Sequence, residues 1–315
     1  MSGSLDWKKA AVILGLAFIV LYPLIHGDSY VMHIMILFFI WAVTAANWDL
    51  LMGYAGISSL GNIGFLAVGA YASGILSKTF GWSPWITIVL GGLASMTVVT
   101  LLIGLPALRL SGIYIALLSL IFADSLPTIL TQTRSITGGT MGLHDIPPFF
   151  EGVTRVGAYY ITLAFFLAIL AIIHRTIHSS TGLAFVALRD SKDFATSLGV
   201  SEYKEKLKVF ALVSFLTGVA GGFYAHYLGD VSPTTLAIEP FLLTIAMIEV
   251  GGVGRFPGAV VGAAIIVFGN EFLRLAGTLR LAILGGLICV IILFFPGGLM
   301  QLIDWIDGKV SRKKA

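Results

Sequence analysis

Long apolar runs, each broken by a few polar or glycine residues, fill the chain from one end to the other. A bilayer core about 30 Å thick calls for roughly 20 helical residues at 1.5 Å each. Runs of that kind fall at 10–26, 30–48, 57–77, 83–106, 112–131, 157–174, 208–228, 237–254, 257–273 and 281–299. The pattern predicts an all-α, polytopic transmembrane helical bundle of about 8 to 10 spans. The third and ninth runs are glycine-rich and interrupted, so short or broken helices are expected there. After the first run, "HGDSYVMH" offers no small-x-small cleavage site. That run therefore reads as an uncleaved membrane helix rather than a removed signal.

Two polar segments between runs, 132–156 and 175–207, are long enough to act outside the bilayer. Basic residues tell the two sides apart. With ten spans, one side holds fourteen of the 19 Lys and Arg residues, among them Lys8, Lys9, Arg189, Lys192 and Lys313. The other holds Lys78, Arg134, Arg155, Arg274 and Arg280. The bias places both termini and 175–207 in the cytoplasm, with 132–156 extracytoplasmic. Arg274 and Arg280 run against it.

Composition supports a membrane domain spanning residues 1–315. Hydrophobic residues make up 57% and charged ones 11%, with a mean hydropathy of +0.97. So few charges could not cover a soluble fold of this length. The 37 glycines suit close helix packing in lipid. Cys289 is the single cysteine and lies in an apolar run, which leaves no disulfide framework or cysteine metal site.

Charge is concentrated in "LRDSKDFATSLGVSEYKEKLKVF", 188–210, where nine of the 23 residues are ionic. Asp190 reads as an N-cap, with Asp193 completing an imperfect capping box. A short helix over about 191–198 would end at Gly199, a natural left-handed residue, and Ser201 would cap the next helix. Phe194 and Leu198 fall at i and i+4 on one face, with Ala195 beside them. Such a helix could lie on the membrane or insert its apolar face into a partner's groove, and a plain solvated loop is the alternative.

The stretch "ALRDSKDFATSLGVSEYKEKLKVFALVSFLTGVAGG" resembles the cytoplasmic loop and following helix of LivM-type permease subunits of branched-chain amino-acid ABC transporters. "GYAGISSLGNIGFLAVGAYASGIL", "RLSGIYIALLSLIFADSLPTIL", "SITGGTMGLHDIP" and "GGVGRFPGAVVGAAIIV" agree and follow in the family's order. The chain departs from the family pattern at Asn62, where His is common after "SLG", and at Arg255 and Pro257.

The resemblance implies a permease subunit of an ATP-driven importer in the plasma (inner) membrane, a transport subunit rather than an enzyme. Its implied partners are a second homologous permease subunit, two cytoplasmic ATP-binding subunits and an extracytoplasmic substrate-binding protein. No cofactor is implied for this chain; ATP and Mg would be used by the ATPases, which agrees with the absence of G-x-x-x-x-G-K-S/T here. The 188–199 loop would couple to the ATPases through Arg189, Asp190, Asp193, Phe194, Leu198 and Gly199. Branched-chain amino acids are the implied cargo; relatives of the same kind carry urea or small amides and acids.

Polar groups inside the runs need a reason, since an ionisable one costs at least about 2.5–3.5 kcal/mol. Asn47, Asn62, Asp124 and Glu249 either line a water-accessible path or pair with neighbouring helices. His33 and His226 read as paired structural residues, and Asp49 as interfacial. In the outer segment, Thr137, Gly138, Gly139 and Thr140 read as part of an outer gate or docking surface, or as a simple turn. Two rivals were open to the residues: an ion-coupled carrier using Asp124 and Glu249, and an intramembrane serine protease using Ser58 or Ser59 with His226. The first does not require the 188–210 loop, and the second lacks a G-x-S-G context.

Overall fold

The computed structural model describes residues 28–149, 154–277, 279–295 and 297–301, together with residue 15 and residues 19–23. The predicted first run therefore lies largely outside the described residues. Among the described residues no strand forms, and extended backbone pairs once, in an antiparallel bridge between Leu143 and Val231.

The apolar runs become helices. Helix α1 (Ser29–Asp49) starts where the Asp28 carboxylate accepts from the Tyr30 N–H, and runs on through a π-helical turn, Leu50–Tyr54. Then follow α2 (Asn62–Phe80), α3 (Pro84–Val99), which continues through a second π-turn to Ala107, and α4 (Ile113–Gln132). Next come α5 (Arg155–Ile177), α6 (Ser180–Asp190), α7 (Lys192–Ser197) and α8 (Glu202–Leu228). The last are α9 (Ile238–Gly251), α10 (Gly258–Phe272) and α11 (Leu279–Phe294).

Among the described residues, 7 helical segments are long and apolar enough to cross a membrane. They match the second to seventh and the ninth predicted runs. The eighth run yields only the 14 residues of α9 and the tenth the 16 of α11, short of the roughly 20 a straight span needs. Gly252, at φ 111°, stops α9 where hydropathy alone would carry it on. The third run also begins later than expected, at Asn62 rather than 57. Residues 55–61 are pinned in an irregular path by tertiary bonds: Trp48 Nε1 donates to Ser59 O at 2.7 Å, and Leu60 N–H to Ser119 Oγ at 2.9 Å.

Helix α1 is the hub, with α5, α8, α9 and α10 against it. Its Phe38 and Phe39 interleave with Tyr159 and Phe166 of α5. Helices α2, α3 and α8 are held together differently, by small residues that let backbones approach. A β-carbon on Gly69 would overlap the Gly218 carbonyl, and one on Gly221 the Leu66 carbonyl. Ser95 Oγ donates to Phe65 O at 2.8 Å across the same seam. The late glycine motif works alike: Gly251 and Gly258 abut each other's backbone, and Gly262 abuts Met247. Close packing is thus the structural use of both glycine motifs.

Helix α4 stands apart. Only 17% of its most apolar window is buried, so most of its surface is left for something beyond this chain.

Candidate functional site

The loop 188–210 folds as a compact knuckle. Ser191, with an extended backbone, separates α6 from α7 and is the N-cap of α7. Asp190 is instead the last residue of α6, so the cap falls one residue later than the sequence suggests. Both are good capping residues, and the single extended residue decides between them. At the other end, the Val200 N–H bonds Ala195 O at 3.1 Å and the Gly199 N–H bonds Thr196 O at 3.0 Å, with Gly199 at φ 88°. This is a Schellman motif, the expected glycine stop. Ser201 caps α8 by position, without a side-chain bond.

The charges of this stretch mostly satisfy one another. Glu202 bridges Lys192 at 3.0 Å and Lys206 at 2.9 Å, Glu205 meets Lys208 at 2.7 Å, and Arg189 meets Asp190 at 2.8 Å. The hydrogen bond to Glu202 holds the Lys192 ammonium above its ordinary range. The knuckle also presents an apolar face. Phe194 is 66% and Leu198 69% exposed, and Leu183 and Tyr203 are exposed nearby. Ala195 is buried, so it anchors α7 inward instead of sharing the exposed face with Phe194 and Leu198.

Arg189 ties the knuckle to the bundle. Its Nη1 donates to Gly53 O at 2.7 Å in the π-turn after α1, and its side chain lies over Gly56, where a β-carbon would collide with it. The same turn holds the loop between α9 and α10. Asp49 Oδ1 accepts the Gly254 N–H at 2.7 Å, and the Tyr54 hydroxyl accepts the Phe256 N–H at 2.8 Å. Gly53 has no room for a β-carbon between Asp49 and Gly254. Three distant parts of the chain thus meet at one joint. Asp49, the last residue of α1, is 3% exposed there and so serves packing within the protein. A cavity of about 200 Å³ lies beside the joint, lined by Arg189, Lys192, Glu202, Lys206 and Gly56.

The four polar candidates inside the runs do not converge. Asn62 is buried, donating to Thr44 O at 3.2 Å and accepting from Thr217 Oγ1 at 3.4 Å, and so joins α1, α2 and α8. Asn47 is buried in α1, with neither amide atom bonded among the described residues. Glu249 is half-buried in α9. Asp124 is exposed midway along α4, in line with Leu117, Ile121 and Thr128.

The outer segment is bound down at its base. Thr137 Oγ1 donates within the turn, and Gly138, Gly139 and Gly142 adopt φ values of 77°, 66° and 84° that favour glycine. Leu143 and Val231 exchange both backbone bonds, and Ile146 N–H bonds Gly229 O at 2.9 Å. Thr137 and Gly139 are buried, whereas Thr140 and Met141 form an exposed tip. His226 is the pin beneath this segment. Its Nδ1 donates to Pro147 O at 2.7 Å, which leaves Nε2 to accept from Ser73 or Thr87 at 2.9 and 3.1 Å. His33 Nδ1 meets the Tyr227 hydroxyl at 2.6 Å. Both histidines are paired, and His226 is engaged by residues other than Ser58 and Ser59.

Sequence reasoning missed the joint at Asp49, Gly53, Tyr54 and Gly254. A carboxylate closing an apolar run was a usable signal, but its partner lies 205 residues away.

No solved structure gives a significant match to the chain. Known sequences do. The LivM permease protein of the high-affinity branched-chain amino acid transport system of Salmonella typhimurium is 28% identical over 290 residues, covering 84% of this chain and 68% of that protein. Its counterpart in Escherichia coli is 26% identical over 96% of this chain and 77% of that protein. A probable branched-chain amino acid transport permease protein LivM of Methanocaldococcus jannaschii is 22% identical over 73% of this chain and 77% of that protein. The profile of the family described as branched-chain amino acid transport system / permease component matches residues 30–295. With seven segments able to span a membrane among its described residues and that match over most of its length, the chain belongs to this family of permease components.

Proposed function

We propose that the chain is one of two membrane subunits of an ATP-driven importer of branched-chain amino acids in the inner membrane. Cytoplasmic ATPases drive it, and an extracytoplasmic binding protein supplies its cargo. The observation that carries this reading is the knuckle at 188–199. It exposes Phe194 and Leu198, while Arg189 and Lys192 pair with carboxylates and Arg189 bonds the π-turn after α1. An exposed apolar pair on a short, firmly stopped helix suits a groove on a soluble partner. The bond from Arg189 gives motion of that partner a rigid route to α1 and to the α9–α10 loop.

The exposed face of α4 supports the second membrane subunit. A carboxylate facing lipid in mid-span is costly, so Asp124 calls for a protein or aqueous neighbour outside this chain. In the assembled importer it faces the path or the other subunit. Thr140 and Met141 are the accessible part of the outer segment and would receive the binding protein.

The test is to purify the chain with its natural partners in vesicles and ask which solutes raise ATP hydrolysis. Stimulation by leucine, isoleucine or valine in the presence of binding protein is expected. Stimulation by urea or small amides alone would replace the cargo, and uptake without any ATPase would replace the mechanism.

A further inference from the structure

Asp124 is the single charged residue of α4, and it is exposed. Asp49, Glu239 and Glu271 each have a hydrogen bond or an ion pair, whereas Asp124 has neither among the described residues. Along the helix it lies about 12 Å from Gln132 and about 16 Å from Ile113, at 1.5 Å per residue. An aspartate side chain is too short to reach either end.

The exposed stripe that carries Asp124 is graded. Turn by turn it reads Leu117, Ile121, Asp124, Thr128 and Gln132, from apolar through acidic to neutral polar. The side chains of Thr128 and Gln132 have no hydrogen-bond partner among the described residues. Pro127, inside the helix, has no N–H to give the Ala123 carbonyl, which frees an acceptor next to Asp124. The packing stripe of α4 lies elsewhere. Ala116 and Ser119 are buried, and a β-carbon on Gly64 would lie 3.3 Å from Ala123. The exposed stripe has no such small residues, which disfavours a tight seam with a second helix. It suits a small mobile cation better than a fixed neighbour.

We propose that Asp124 receives the ammonium of a zwitterionic amino acid during its passage, with Thr128 and Gln132 donating to the cargo's carboxylate and Ile121 and Leu117 against its apolar side chain. The assignment rests on the importer function proposed above. The three N–H donors of a primary ammonium match two carboxylate oxygens and one freed carbonyl. Side chains one turn apart have β-carbons about 5–6 Å apart, which lets Thr128 reach a carboxylate borne on the same carbon as that ammonium. Urea and neutral amides carry no cation for Asp124, so the site favours amino acids over them.

The experiment labels Ile121→Cys, in a chain that also carries Cys289→Ser, with a water-soluble maleimide in the complete importer reconstituted with its binding protein. Ile121 is 63% exposed, so the change leaves the fold intact. Leucine is expected to slow labelling about ten-fold, the effect of one charge-assisted bond. Adding Asp124→Asn is expected to abolish that protection, and Asp124→Glu, which keeps the charge, to preserve it. A merely structural role for Asp124 would leave the protection the same in both variants, and protection that survives Asp124→Asn overturns the proposal. No labelling in the complete importer buries this face in a subunit seam and overturns it too. Labelling that leucine does not slow, in an importer that takes up leucine, overturns it while the importer function stands. An importer that takes up no branched-chain amino acid overturns both.

Discussion

The guanidinium of Arg189 donates to the carbonyl oxygen of Gly53 at 2.7 Å, joining the knuckle at 188–199 to the turn that ends the long helix beginning at Ser29. Gly53 tolerates no side chain, because Asp49 and Gly254 close in on it. In the proposed coupling, a push on α7 would reach α1 and the α9–α10 loop through these close contacts.

Replacing the exposed anchor tests the docking face. Leu198→Asp and Phe194→Asp leave the fold intact, since both side chains are mostly exposed. They are expected to abolish co-purification of the ATPase subunits while membrane insertion stays normal. Retained co-purification in both variants would show that the knuckle is not the docking face.

Gly199→Val acts through the backbone alone. Nothing lies within 4 Å of a β-carbon there, but φ is 88°. A left-handed non-glycine residue costs roughly 1–2 kcal/mol, more when β-branched. The Schellman stop should loosen and transport should fall, with the thermal stability of the bundle unchanged. Hydrogen exchange across 192–200 measures the first effect and a melting curve the second.

Gly69→Val is the contrasting case. Its side chain would strike Gly218 at the seam of α2 and α8, and overpacking of this kind costs about 1–3 kcal/mol or more. Loss of folded protein in detergent is expected, read as a lowered melting temperature or a shifted gel-filtration profile.

His226→Ala removes the pin under the outer segment and leaves the Pro147 carbonyl without its donor. An unmet buried group costs about 1–3 kcal/mol. Faster hydrogen exchange over 142–147 is expected, with the 188–210 knuckle unaffected.

Asp124→Asn removes charge from the uncovered face of α4 without removing bulk. Uptake is expected to fall while the subunits still assemble. Failure of assembly would instead place Asp124 in the subunit interface, and unchanged uptake would show that its charge is not used.

Local signals made much of this legible. The Gly199 stop was readable because one residue type suits a left-handed position, and the seven described spans were readable from hydropathy. The Ser191 cap was not, since Asp190 and Ser191 are equally good caps and only the direction of α6 selects one. The shortness of α9 was hidden because Gly252 stops the helix inside a continuous apolar run. The role of Asp49 was hidden because it depends on Gly254, which only the folded chain brings near. That Arg274 pairs with Glu271 and Arg280 with Glu239 also needed the fold, since the second pair is 41 residues apart.

The most direct test is uptake per ATP hydrolysed by the reconstituted importer carrying Arg189→Ala. The subunits should assemble and hydrolyse ATP, yet move little cargo, because the knuckle is no longer fastened to Gly53. An unchanged ratio of uptake to hydrolysis would contradict the account.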